Sequence, residues 1–268
     1  LAGGSNRKEG KKLRTTEESL NDPQTDTWSN GEPLPKAFGY GVTARIGKAI
    51  YILGGADEDG TPNKHIYKFS AGKWDVVGMT PDVFVYPAYT AVGSSIYIFG
   101  GSSSSADVTQ ATADLWIYHT DANVWEKASA IPGKPRQIFS AAAIGELIYV
   151  FGGVTQKTGE DILNLDDAYR FDTTKSEWKK LKPMPVAMRA FWAGSDRKEV
   201  FLIGGYSDAG LDTVYKYIPE RDDYEKVSKL PQPLMDTKFI YGNGKFYGAS
   251  GEDKPMSRFG GLVIGSIK

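Results

Sequence analysis

The sequence predicts an all-β chain of six small four-stranded sheets packed radially, a six-bladed β-propeller. Three observations predict it. First, a β-branched and aromatic run ending on two glycines recurs along the chain. Its clearest copy is Leu147-Ile-Tyr-Val-Phe-Gly-Gly153, with near copies at Ile50–Gly55, Ile96–Gly101 and Val200–Gly205. Weaker copies stand at Leu1–Gly4 and Phe246–Gly251. The second glycines fall at 4, 55, 101, 153, 205 and 251, giving gaps of 51, 46, 52, 52 and 46. Second, a fixed period near fifty residues is the mark of a repeat architecture. Third, large aromatics recur at matching offsets after each run, as Tyr67, Tyr118, Tyr169 and Tyr215, then Trp74, Trp125, Trp178 and Tyr224.

One unit shows how the four strands arise. Ile131-Pro-Gly-Lys-Pro135 is a turn cluster. Phe139-Ser-Ala-Ala-Ala-Ile144 is small and apolar, suited to a strand crowded near an axis. Leu147–Phe151 is apolar on both faces, as in a sheet buried between two others. The two glycines permit backbone conformations that a Cβ would forbid. Asp167–Asp172 alternates like a third strand, and Glu177-Trp-Lys-Lys-Leu181 is a fourth carrying one aromatic. Such a sheet cannot bury both faces alone, so neighbouring units bury them for each other.

The two ends are incomplete. The first unit has Trp28 but lacks a first strand and most of a second, and the last ends after a third strand at Leu262–Ile267. Residues 1–268 are therefore expected to form one propeller domain whose ends meet. A segment upstream of Leu1 is expected to complete both partial blades and remove an exposed sheet edge. Asn6–Asn21 reads as a long polar loop, and Ser102–Thr112 and Val154–Leu165 as two long loops between second and third strands. Long loops on one face of a rigid ring are where binding usually resides.

Composition narrows the function classes. The 268 residues carry a net charge of −1, which gives no broad basic field for nucleic acid or an acidic membrane. There are no cysteines, hence no disulfide framework and no thiolate metal site. No apolar run approaches the roughly 20 residues of a membrane span. His65 and His119 have no ligand spacing, and Asp57-Glu-Asp-Gly60 reads as a turn, so no metal or other cofactor is expected. The expected location is periplasmic or secreted.

The double glycine followed by Tyr and then Trp resembles the Kelch family over nearly the whole chain. Loops entering the first strand of each unit share one end of the ring with loops between second and third strands. Lys36, Arg136, Arg189 and Asp236 lie in or beside the former, and Glu252, Lys254 and Arg258 in one of the latter. They are candidates to converge over the channel. Trp192 beside Arg189 suits either stacking on a sugar or strand-one packing.

A narrower resemblance rests on the last loop. Gly251-Glu-Asp-Lys-Pro-Met-Ser-Arg258 is similar to the Gly-Glu-x-Lys-Pro-x-x-Arg segment of the N-acetylneuraminate epimerases, or sialic acid mutarotases. Those are six-bladed Kelch propellers, and the match here is to a cyclically permuted branch. Ala2-Gly-Gly4, Glu9-Gly-Lys-Lys12, Tyr40-Gly-Val-Thr43 and Pro135-Arg136 resemble further pieces of that family. An arginine and a histidine of that family stand here as Phe38 and Phe191. The resemblance implies anomer exchange of an acidic sugar, with Glu252 as the catalytic base that shuttles protons as the ring opens and recloses. A substrate carboxylate favours arginine, which points to Arg258 and Arg136, then Arg189, with Lys254 nearby. The alternative is a non-enzymatic module that binds a protein or glycan through the same loop face, because propellers host both classes.

Overall fold

The computed structural model describes residues 2–8, 11–22 and 24–266. Glu9 and Gly10 of the Glu9–Lys12 segment, Leu1, and Ile267 of the expected last strand lie outside them. The chain opens with two ribbons, β1 (Ser5–Lys8) with β2 (Lys11–Arg14) and β3 (Ser19–Asp22) with β4 (Thr27–Asn30). The first complete sheet is β5 (Val42–Ile46), β6 (Ala49–Leu53), β7 (His65–Ser70) and β8 (Lys73–Met79). The next is β9 (Ala88–Val92), β10 (Ser95–Phe99), β11 (Leu115–His119) and β12 (Val124–Ala128). Then come β13 (Ser140–Ile144), β14 (Leu147–Thr155), β15 (Leu163–Asp172) and β16 (Glu177–Lys180). The fourth sheet is β17 (Trp192–Ser195), β18 (Val200–Ile203), β19 (Thr213–Ile218) and β20 (Asp223–Lys229). The last unit has β21 (Lys238–Gly242) and β22 (Lys245–Ala249), a small loop ribbon of β23 (Glu252–Lys254) and β24 (Ser257–Arg258), and β25 (Leu262–Ser266).

Each complete sheet is antiparallel in sequence order, and the last sheet runs β21-β22-β25. The innermost strands β5, β9, β13, β17 and β21 lie side by side in succession, so the sheets radiate from a common axis. The run that ends in two glycines is the second strand of each four-stranded sheet and is largely buried, as in β10 and β18. The hydrophobic clusters sit between sheets rather than within one. Phe99, Leu115 and Ile117 of one blade meet Phe139, Ile148 and Phe171 of the next. Phe201 and Ile203 meet Phe239 and Phe246 in the same way.

Aromatics of the fourth strand tie three of the blades backward. The Trp178 indole N–H donates to the Ser129 carbonyl at 2.9 Å, just beyond the outer strand of the preceding blade. Trp74 donates to the Glu32 carbonyl at 3.1 Å and the Tyr224 hydroxyl to the Lys182 carbonyl at 3.0 Å. Trp192 is core packing, set between Phe239 and Phe246 with ring centroids 5.7 and 5.6 Å away.

Two expectations are corrected. Five blades of three or more strands are present among the described residues, not six. Among the described residues the first unit contributes the two-stranded ribbons β1–β2 and β3–β4 and an isolated bridge between Ala2 and Glu18, and no sheet of three strands. Asn6–Thr16 has too few apolar residues for strands buried on both faces, so it pairs locally instead. Trp28 is accordingly 47% exposed. The loop expectations also change. Asn6–Asn21 carries most of β1, all of β2 and most of β3, and Val154–Leu165 is largely a hairpin extension in which Val154 pairs with Asn164 and Thr155 with Leu163. Ser102–Thr112 does remain a loop, with one 3-10 turn at Val108–Gln110.

Candidate binding face over the channel

Five residues line the axis at equivalent places: Tyr40, Tyr86, Ile138, Ala190 and Asp236. All have left-handed backbone, with φ of 68, 55, 53, 56 and 55°. In the last four the bend turns the backbone N–H toward the preceding blade. The N–H of Tyr86 donates to the Tyr40 carbonyl at 2.9 Å, and that of Ile138 to Tyr86 at 3.0 Å. Ala190 donates to Ile138 at 3.1 Å and Asp236 to Ala190 at 2.8 Å. A non-glycine residue pays for this conformation in strain. The inter-blade hydrogen bond offsets that cost, and the side chain is delivered to the channel.

The channel mouth is a cavity of about 460 Å³. Tyr40 and Tyr86 form one wall, with ring centroids 4.1 Å apart. The Arg14 guanidinium stands 4.5 Å from the Tyr40 ring centroid, and its Nε donates to the Ala56 carbonyl at 3.3 Å. Burial pulls the Arg14 pKa below its ordinary value, against the opposing charges of Tyr86, Glu58 and Asp57. Burial pushes the Tyr86 phenol well above its ordinary value, and the negative charge of Asp236 adds to this.

Glu252 and Arg258 also line the cavity, as sequence reasoning expected of loop residues. They are partners in the β23–β24 ribbon, whose turn is Pro255-Met256, with Met256 at φ 64°. Arg258 Nη1 donates to Glu252 Oε1, and Arg258 Nη2 donates to Ser5 Oγ at 3.2 Å. Backbone bonds between Glu252 and Met235, 2.8 Å each way, strap the ribbon to the loop entering β21. Asp236 and Lys238 complete this side of the cavity.

Other candidates lie elsewhere, which corrects their expected role. Arg136 is fully buried and clamps Asp167, so it is structural and does not line the cavity. Arg189 stacks on the Tyr206 ring at 4.6 Å and donates to Asn164 Oδ1 at 2.5 Å. Lys254 is exposed beyond the lining residues. Lys36 pairs with Asp57 at 2.5 Å on the rim. Thus Glu252 and Arg258 converge with Asp236 beside them, where Glu252 with two arginines was expected.

Sequence reasoning missed the ring of left-handed residues and the place of Arg14. The ring had a signal, because 55 − 40, 101 − 86, 153 − 138, 205 − 190 and 251 − 236 all equal 15. Its members are chemically unlike, so only the offset marks them. Among the described residues no three His, Asp or Glu side chains are placed to hold a metal ion, and no helix is long and apolar enough to cross a membrane.

Radial antiparallel blades, a double glycine closing the second strand of each four-stranded one and a loop-lined channel mouth define a β-propeller. The chain belongs to the Kelch-repeat family: residues 1–205 match the KLHDC2/KLHL20/DRC7 Kelch-repeats domain. It is similar to Kelch-like protein 25 of Xenopus tropicalis, 25% identical over 231 residues, covering 82% of this chain and 37% of that protein. It is 26% identical to alpha-scruin of Limulus polyphemus over 76% of this chain and 23% of that protein. It is also 29% identical to the N-(sulfonatooxy)prop-2-enimidothioate sulfolyase of Thlaspi arvense, over 53% of this chain and 45% of that protein. The chain therefore spans less than half the length of each of these relatives. These matches support the Kelch repeat and lend no support to the sialic acid mutarotases in particular.

Proposed function

We propose that this chain is a protein-binding Kelch module that takes a segment of a partner at the channel mouth. The observation that carries the reading is the character of the cavity. Its wall is a close, tilted tyrosine pair, and two of its charged groups, Glu252 and Arg258, are already held in geometry by each other. Rigid aromatic walls with pre-ordered polar groups bind a peptide at low entropic cost. The family match and the alignment with Kelch-like protein 25 over 82% of the chain favour the same reading.

Selection from a displayed peptide library tests it. Selected peptides should bind wild type and weaken on Tyr86→Ala. They should be indifferent to Lys179→Gln, an exposed change on the outer strand β16. Peptides that ignore Tyr86→Ala, or a library that yields no binder, would sink the proposal.

A second reading keeps the acidic-sugar mutarotase, because Glu252 and Arg258 do share one cavity. It asks Glu252 to exchange protons while its carboxylate serves Arg258. Proton NMR exchange between the anomers of N-acetylneuraminate decides it. Acceleration by wild type that is lost in Glu252→Gln supports catalysis, and spontaneous rates with both proteins remove this substrate.

A further inference from the structure

We propose that the end of the ring opposite the channel mouth holds a second site, a groove between the inner strands β17 and β21 that takes a neutral sugar residue. The groove has a volume of about 550 Å³. Trp192 and Tyr241 supply its aromatic surface, and Asp196, Arg197 and Asn243 its polar groups. Each inner strand starts beside the mouth, just after its left-handed ring residue, and runs away from it. The turns after β17 and β21 therefore lie at the far end, away from Glu252 and Arg258.

The repeat shows that the fold does not ask for these residues. Strand register sets the equivalent positions on the five inner strands. Trp192, which pairs with Ile203, corresponds to Val42, Ala88, Ser140 and Lys238. Tyr241, which pairs with Phe246, corresponds to Arg45, Ala91, Ala143 and Ser195. Each is the one aromatic of its set, and the two meet at one groove. Gly194 makes room for the first, because a Cβ there would stand 1.5 Å from the Trp192 indole. Ala44, Thr90, Ala142 and Ile240 hold that position on the other strands, and all carry a Cβ. The indole packs on Phe239 and Phe246 and also lies along β17 over Gly194, toward the turn.

The turn is the second departure. Four of the five inner hairpins close with two residues, Gly47-Lys48, Gly93-Ser94, Gly145-Glu146 and Asn243-Gly244. The hairpin of β17 and β18 closes with four, Asp196-Arg197-Lys198-Glu199. Arg197 has φ 83°, in the region where the other turns begin on glycine or asparagine. An arginine is costly there, and a hairpin that needs only two residues does not require it. The arginine is held in place nonetheless. Its N–H donates to Ser195 Oγ at 2.8 Å, and Asp196 Oδ1 accepts from the N–H of Lys198 and Glu199 at 2.9 and 2.8 Å. The Arg197 guanidinium makes no side-chain hydrogen bond or ion pair among the described residues.

The chemistry of the lining selects the ligand. Tyr241 is backed by Phe246, with ring centroids 4.9 Å apart, and is still 38% exposed. A supported aromatic face suits a ligand with an apolar side. Around it stand the donors of Arg197, the amide of Asn243, which both donates and accepts, and Asp196 Oδ2, which accepts. A pyranose ring combines these needs, with C–H groups on one face and hydroxyls around its rim. The charges of Arg197 and Asp196 cancel, which favours a neutral sugar over an acidic one. The volume falls within the roughly 300–1,000 Å³ of small-molecule sites.

Saturation-transfer NMR titration with the methyl glycosides of glucose, galactose and mannose tests the site. Methyl glucuronide and benzyl alcohol serve as controls for charge and for simple apolar contact. Wild type should bind at least one of the three glycosides and prefer it to benzyl alcohol. Arg197→Gly gives the turn a residue that fits its backbone, so the melting temperature should hold or rise. Affinity for the glycoside should nevertheless fall about tenfold, through loss of a charge-assisted hydrogen bond. Tyr241→Ala should abolish binding, Tyr241→Phe should keep most of it, and Lys179→Gln should leave it unchanged. Wild-type affinity in Arg197→Gly or Tyr241→Ala, equal affinity for benzyl alcohol, or no binding of any of the three glycosides would overturn the inference. So would tighter binding of the glucuronide that Arg197→Gly removes. Peptides selected at the channel mouth should bind Arg197→Gly as they bind wild type, so the two sites stand or fall separately.

Discussion

Arg136 Nη1 and Nη2 donate to the two carboxylate oxygens of Asp167 at 2.6 and 2.7 Å, with the arginine side chain wholly buried. The same guanidinium donates to the carbonyls of Lys134 and Gly152, so the loop entering β13 is locked to β15. The Tyr169 hydroxyl adds a bond to Asp167 at 2.9 Å. An arginine that sequence alone marks as a substrate ligand is here a fastener inside one blade.

Removing one partner of this pair leaves the other charge buried and unbalanced. Asp167→Asn should lower stability by about 3–5 kcal/mol in urea unfolding. Arg136→Met with Asp167→Leu should cost clearly less than the single change, because no charge is stranded. A double variant as unstable as the sum of its singles would contradict this account.

Acid should separate wild type from Asp167→Asn. Burial raises the Asp167 carboxyl pKa, but hydrogen bonds and charge from Arg136 outweigh it, so the net pKa lies below the ordinary value. The stabilisation is then fully present above the unfolded carboxyl pKa, near ~4, and is lost as pH falls through the folded value. The stability difference between the two proteins should be flat above about pH 5 and shrink below about pH 4. A constant difference down to strong acid would refute it.

Gly54 shows why the repeat needs its glycines. It has φ +72°, and a Cβ there would stand 2.7 Å from the Phe84 carbonyl oxygen. That contact is backbone, in the loop entering the next blade, so it cannot swing aside. Gly54→Ala should cost at least about 2 kcal/mol, from left-handed strain plus the clash. Gly47→Ala, also at positive φ but with open space around it, should show only the strain, about 1 kcal/mol. Equal losses would argue against a steric role at Gly54.

Equivalent tryptophans should differ in worth. Trp178→Phe keeps a ring but loses the bond to the Ser129 carbonyl, and should cost about 1 kcal/mol. Trp28 is 47% exposed, and Trp28→Phe should stay within about 0.5 kcal/mol. Thermal melts of the two variants measure this. A larger shift for Trp28 would show that it is covered in solution.

Much of the architecture was legible in the amino-acid order, because burial on both faces of a sheet demands local regularities. The runs at Ile96–Gly101 and Leu147–Gly153 must be apolar at every position and must end where backbones approach closely. The tryptophan offset follows from one fourth strand reaching one preceding blade. These are repeated local requirements, so they appear as a period. Glu252 and Arg258 were legible for the same reason, since a loop's end of the ring follows from strand order. The blade count was not, because a glycine pair at Gly3-Gly4 signals a unit without showing that its neighbours can form strands. Only the tertiary structure decided that Arg136 faces Asp167 while Arg258 faces the cavity. Both are loop arginines by sequence, and their direction depends on which carboxylate the fold brings within reach. The ring through Tyr40, Tyr86, Ile138, Ala190 and Asp236 was likewise decided in three dimensions, where backbone hydrogen bonds between blades select a conformation that no side-chain preference encodes.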